Sequence, residues 1–254
     1  MAESRRERAM SFGGFAREYD RFRPEPPAEA LDWLVPKEAA SIAEIGAGTG
    51  LLTRHLGQRA HEVFAIEPDS RMREVLQENV PSAVALEGRG EAIPLSDDSV
   101  DVVIAASSWH WVEQERGFAE AARVLRRGGT LALLWTGPDR TVEWVSRLMA
   151  GGREMSPEER QRADQDRYRR HHPETPDGAP FDNPERRVFR GSRLVTAEVL
   201  IGLPGTYGET LPLTSAQRVD YDDQLRHFVA DEVNLSNGQV ELPIGCVTWR
   251  ALRL

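Results

Sequence analysis

Apolar residues fall into two alternating patterns along this chain. Residues 42–46, 63–67, 83–87, 100–106 and 130–136 form short, mainly apolar runs, while 51–58, 69–79, 114–126 and 141–150 carry apolar residues at helical spacing. The alternation predicts a parallel sheet with helices on both faces. Val102-Val103-Ile104-Ala105-Ala106 is apolar at every position, as a strand covered on both sides requires. Upstream, Phe12, Phe15, Tyr19 and Phe22 recur every three or four residues, which predicts an amphipathic helix that Pro24, Pro26 and Pro27 stop. Residues 28–34 read as a second helix. Beyond Gly151 the pattern dissolves into intermixed Arg, Glu, Asp and Pro over 152–187. That stretch reads as a solvated helix and a loop, part of which can face a substrate. Residues 188–195 then read as a strand, 196–203 and 215–232 as helices, and 247–254 as a last strand of period two. The expected organisation is a helical lid over 1–36, an α/β core over 37–150 and a C-terminal part over 151–254.

Chemistry concentrates at the end of the first apolar run, in Glu44-Ile45-Gly46-Ala47-Gly48-Thr49-Gly50. Glycines allow a tight strand-to-helix turn and close approach of a ligand to the backbone, and the first helical N–H groups are free donors. The spacing is G-x-G-x-G. Leu51 stands where a dinucleotide-binding loop has its third glycine, which argues against an NAD-dependent oxidoreductase. Glu67 ends the second apolar run, where a carboxylate can take both hydroxyls of a ribose.

This arrangement resembles the S-adenosylmethionine site of class I methyltransferases. Further segments resemble the same family: Gly90-Glu91-Ala92-Ile93-Pro94-Leu95, the fourth strand from Ser99 to Ile104, and the Arg126-Arg127-Gly128-Gly129 turn. Phe15-Ala16-Arg17-Glu18-Tyr19-Asp20-Arg21-Phe22-Arg23-Pro24 and Trp109-His110-Trp111-Val112 resemble its small-molecule branch, including trans-aconitate-methyltransferase-like proteins. The resemblance implies a Rossmann-like, mostly parallel sheet whose last strand runs antiparallel beside the fifth. It implies S-adenosylmethionine as cofactor, with Glu44 ordering the glycine loop and meeting the methionine end, and Tyr19 also at that end. Gly46, Ala47, Gly48, Gly50 and Ser107 would line the cofactor, Glu67 would hold the ribose, Pro68 and Met72 would pack on the adenine, and Gly90 and Glu91 would read its edge. Met72 reads equally well as a core residue.

Ligands of open α/β sheets bind at the carboxyl ends of the strands, and the fourth strand runs into Trp109-His110-Trp111. The two indoles are candidates for an acceptor wall. His110 is a candidate general base, or a ring that hydrogen-bonds its own loop. The Asn-Pro-Pro-Tyr-like segment of enzymes acting on nucleic acids and proteins is missing after this strand, which favours a small-molecule acceptor. His171-His172 has no third ligand at metal-site spacing, so no metal is expected. A cofactor-binding protein without catalysis is the alternative from another class.

The net charge of −9 argues against a nucleic-acid partner, which needs a concentrated basic surface, and Arg5-Arg6-Glu7-Arg8 is too short to change that. No apolar stretch approaches the ~20 residues of a membrane span. Cys246 is the only cysteine, so a cytoplasmic location without disulfides is expected. Monomer and homodimer remain equally open.

Overall fold

The computed structural model describes residues 13–14, 16–207, 210 and 213–254. Phe12, Phe15 and the basic cluster at 5–8 lie outside the described residues. Helices α1 (Ala16–Phe22) and α2 (Ala28–Leu34) precede β1 (Ser41–Ile45), α3 (Thr53–Leu56), β2 (Glu62–Ile66), α4 (Ser70–Asn79), β3 (Val84–Leu86) and β4 (Val100–Ala106). There follow α5 (Gln114–Val124), β5 (Leu125–Pro138), α6 (Glu143–Met149), α7 (Pro157–His171), β6 (Glu185–Thr196), α8 (Ala197–Gly202), α9 (Ser215–Glu232) and β7 (Gln239–Leu252).

The strands form one seven-stranded sheet in the order β3-β2-β1-β4-β5-β7-β6. β1 to β5 pair in parallel, and β7 runs antiparallel to both β5 and β6. The order reverses at β1/β4, so the ends of β1 and β4 border the crevice where such sheets take ligands. Every residue of β1 is buried. Its alternating side chains feed two cores: Ala43 and Ile45 join Val103, Phe118, Leu133 and Trp249, while Ile42 joins Leu31, Leu34, Val102, Ile104 and Leu134. A third apolar cluster, built on Leu242 and Ile244 of β7 with Leu148, Leu200, Leu225 and Phe228, holds the C-terminal helices.

Two elements differ from the expected pattern. The helix after the glycine loop shrinks to the single turn of α3. The last strand begins at Gln239, well before the expected start, because it pairs residue for residue with β6. Pro243 masks this in the sequence, since proline argues against a central strand; it sits where β5 has already ended and β7 has one strand neighbour. α7 follows the sequence expectation of a solvated helix up to its last residue, His171. A Ser156–Glu159 capping box starts it, and none of its side chains is buried. Among the described residues no helix is long and apolar enough to cross a membrane.

Candidate active site

The glycine loop is held from three sides. The amides of Gly46 and Ala47 both donate to the Ile66 carbonyl, at 2.8 and 3.1 Å, which pins the loop to the end of β2. Gly46, Gly48 and Gly50 have φ of 67°, 58° and 89°, a region that costs an L side chain about 1–2 kcal/mol. At Gly46 space forbids a side chain as well, since a Cβ would lie 2.5 Å from the Cβ of Ser108. Ser108 is itself fixed by donating to the Ile45 carbonyl at 2.5 Å. Gly48 differs: nothing lies within 4 Å of where its Cβ would be. The loop is therefore sealed at Gly46 and open at Gly48.

Two acids brace it. Glu44 is 1% exposed and accepts from the Thr53 hydroxyl at 2.7 Å. Burial pushes its pKa up to about 8, so its carboxyl stays protonated at neutral pH. In this structure Glu44 is enclosed beneath the loop. Glu67 is 8% exposed and accepts from the Gly48 amide and the Asp69 amide, each at 2.9 Å. Burial raises its pKa, and these two amide bonds oppose the rise. Each carboxylate oxygen still has a lone pair for another donor.

α1 closes the third side. Asp20 accepts from the Thr49 hydroxyl at 3.0 Å and pairs with Arg54 at 2.7 Å. Sequence reasoning passed over Asp20, although it directly follows Tyr19 in a segment already singled out. Tyr19 and Met72 lie together, packed with Ala16 and Val75, and the Arg23 guanidinium stands 4.8 Å from the Tyr19 ring centroid. Met72 is thus buried between α1 and α4. Pro68 is partly exposed, and its carbonyl accepts from Arg73 at 2.9 Å. Gly90 is buried where a Cβ would lie 2.7 Å from Val112, and Glu91 accepts from the Glu113 amide at 2.9 Å. Ala47 is buried in the loop, and Ser107 turns the chain after β4 with φ of 52°.

The Trp-His-Trp run is a single 3₁₀ turn, and it divides. Trp109 does not reach the crevice: it is 1% exposed, lies edge-on to Phe118 at 5.4 Å, and donates to Gln114 at 3.0 Å. An indole with its N–H satisfied inside the core is a packing residue, so the expected acceptor wall keeps only Trp111, whose ring lies 4.7 Å from that of His110. His110 Nδ1 accepts from the Trp135 indole at 3.4 Å. On its other side Trp135 stacks on His171, with centroids 5.2 Å apart and planes at 23°. Burial, with the neighbouring Arg170 and His110, pushes the pKa of His171 down to about 3. His171 is therefore a neutral ring against the sheet, where the charged sequence around it implied a solvated one. Among the described residues no group of three or more metal-ligating side chains exists.

A family model described as a methyltransferase domain matches residues 43–133. An uncharacterised methyltransferase of Mycobacterium tuberculosis H37Rv is 37% identical over 253 residues, covering 99% of each chain. An uncharacterised methyltransferase-like protein of Schizosaccharomyces pombe is 36% identical over 136 residues, 52% of this chain and 53% of its own. A solved structure described as a type II methyltransferase of Anaeromyxobacter dehalogenans shares the fold at a TM-score of 0.63 and 22% identity, over 91% of this chain and 98% of its own. The chain belongs to the methyltransferase family. It is a class I S-adenosylmethionine-dependent methyltransferase, and S-adenosylmethionine is its cofactor. The loop fits that group, since Gly48 leaves its backbone open and Glu67 keeps acceptor capacity beside it.

Proposed function

We propose that this enzyme methylates a small-molecule acceptor held at the carboxyl ends of β4 and β5. The observation that carries the reading is the pairing of an open, left-handed Gly48 with the Glu67 carboxylate. Gly48 would admit the cofactor backbone-close, and Glu67 would take the ribose hydroxyls through its remaining lone pairs. Ala47, Gly50, Pro68, Met72, Gly90, Glu91 and Ser107 would complete the cofactor's surroundings, with Glu44 and Tyr19 shaping its methionine end. Bound S-adenosylmethionine supplies an electrophilic methyl group on a sulfonium. The chain's own task is then to align the acceptor and exclude water, and orientation alone supplies several kcal/mol.

The small-molecule assignment is supported by the net charge of −9 and by the aromatic setting of Trp135 between His110 and His171. The single cysteine supports a cytoplasmic enzyme. His110 has its Nδ1 lone pair on the Trp135 indole. While that bond holds, Nδ1 is engaged as a hydrogen-bond acceptor, so His110 would position the methyl acceptor and would not take its proton at Nδ1.

Incubation with methyl-labelled S-adenosylmethionine and a fractionated cell extract tests the proposal. Label is expected in low-mass products. Label confined to precipitated nucleic acid or protein would overturn the assignment.

A further inference from the structure

Resting on that reading, we infer that the acceptor is a planar, unsaturated or aromatic small molecule, and that its ring lies on a shelf made by Gly137 and Gly245 beside Trp135. Gly137 of β5 and Gly245 of β7 face each other directly across the antiparallel ladder. The register is continuous through Thr136↔Cys246, Gly137↔Gly245 and Pro138↔Ile244, so neither glycine serves a bulge. Glycine inside a strand weakens it, and without a bulge it marks close approach of another group.

The two positions differ in what lies above them. A Cβ on Gly137 would stand 3.0 Å from the Tyr207 hydroxyl, whereas nothing lies within 4 Å of a Cβ on Gly245. The sheet therefore has a flat patch, bounded by a phenol on one side and open on the other. Side chains alternate along a strand, so Trp135 and Val247, each two residues away and themselves a cross-strand pair, share this face. The shelf is continuous with the crevice: the Ser107 amide donates to the Leu134 carbonyl at 2.8 Å, and His110 meets Trp135. Adjacent strands lie about 4.8 Å apart, which sets β5 two strand spacings from the glycine loop on β1.

Planarity follows from the floor, since neither glycine carries a Cβ, and from its neighbour Trp135. Its face already takes a flat ring, His171, nearly parallel to it, and on the other side His110 holds its indole N–H. Around the shelf stand Trp135 and Val247, the enclosed Tyr207 hydroxyl and, on the open side, Arg190, which faces Gly245 across the ladder and pairs with Asp139 at 3.3 Å. A flat body with a polar edge matches this floor and rim. Because His171 comes from α7, that helix forms the roof over the acceptor.

Saturation-transfer NMR on the protein loaded with S-adenosylhomocysteine tests this, with phenol, indole and 8-hydroxyquinoline as planar probes and cyclohexanol as the saturated control. The planar probes are expected to bind and cyclohexanol to fail. Gly245→Ala should weaken them, and Gly245→Val should weaken them by about tenfold or more, since added methyls fill the shelf. Calorimetry with S-adenosylhomocysteine should give unchanged affinity in both variants, which verifies their folding. Absence of planar-probe binding, equal binding by cyclohexanol, or equal binding to wild type and Gly245→Val would each overturn the shelf. Label appearing in saturated low-mass products would refute planarity while leaving the small-molecule reading intact.

Discussion

The two halves of the crevice are assembled differently. Around the glycine loop, Glu44, Gly46, Thr53, Glu67 and Asp69 lie close in sequence and bond to one another or to neighbouring backbone. Around Trp135, His110 follows β4, His171 ends α7, Tyr207 follows a 3₁₀ turn and Gly245 sits in β7. The first half is fixed by hydrogen bonds of definite length, and the second by ring contacts and by space. A cofactor shared by many enzymes suits the rigid, local half; an acceptor particular to this enzyme suits a half whose walls can change one segment at a time.

If this contrast is right, the largest effect belongs to Gly48→Asp. The variant should lose S-adenosylhomocysteine binding altogether by calorimetry, because a charged side chain enters the open approach. Its folding should survive, since aspartate tolerates left-handed backbone and no neighbour stands in the way. Gly46→Ala should instead fail in stability, because its methyl would meet Ser108. Glu67→Ala should weaken cofactor binding by about 2–3 kcal/mol, roughly 30- to 150-fold. It should also lower the melting temperature, because the Gly48 and Asp69 amides lose their acceptor.

Glu44 sharpens the comparison through pH. Its pKa is about 8 in the folded chain against 4.5 for an exposed carboxyl. As pH rises from 4.5 towards 8, the unfolded chain releases a proton that the folded chain keeps. Stability therefore falls across that window, by at most about 1.4 kcal/mol per pH unit. Urea titrations at several pH values should show this slope in wild type and lose its contribution in Glu44→Gln. Asp20→Ala and Thr49→Val should each weaken cofactor affinity by about 1 kcal/mol, and the double variant should be no weaker than either single one. Additive losses would mean that α1 does not act on the loop through this bond. The smallest effect is expected at His110. His110→Ala should slow turnover less than about tenfold and leave the pH profile unchanged; a fall of about 10²-fold with a lost limb would make it a base.

Legibility in the sequence follows the same division. The parallel order, the glycine loop and Glu67 were readable because strand runs, left-handed glycines and a strand-end acid leave local signatures. Asp20 left a weaker one, since its partners Thr49 and Arg54 are far along the chain. Trp109 looked like an acceptor wall because an indole after β4 has the same appearance in sequence whether it turns inward or outward. His171 and Gly245 carried no signal: the first sits in a run of charges, and the second takes its meaning from pairing with Gly137 across the sheet.

Hydrogen exchange with S-adenosylhomocysteine alone tests the separation of the two halves most directly. Protection is expected at residues 44–50 and 66–70 and, through Asp20, in α1 at 16–22, with α7 at 157–171 unchanged. Protection that spreads to α7 without an acceptor, or that is missing at 44–50, would contradict the account.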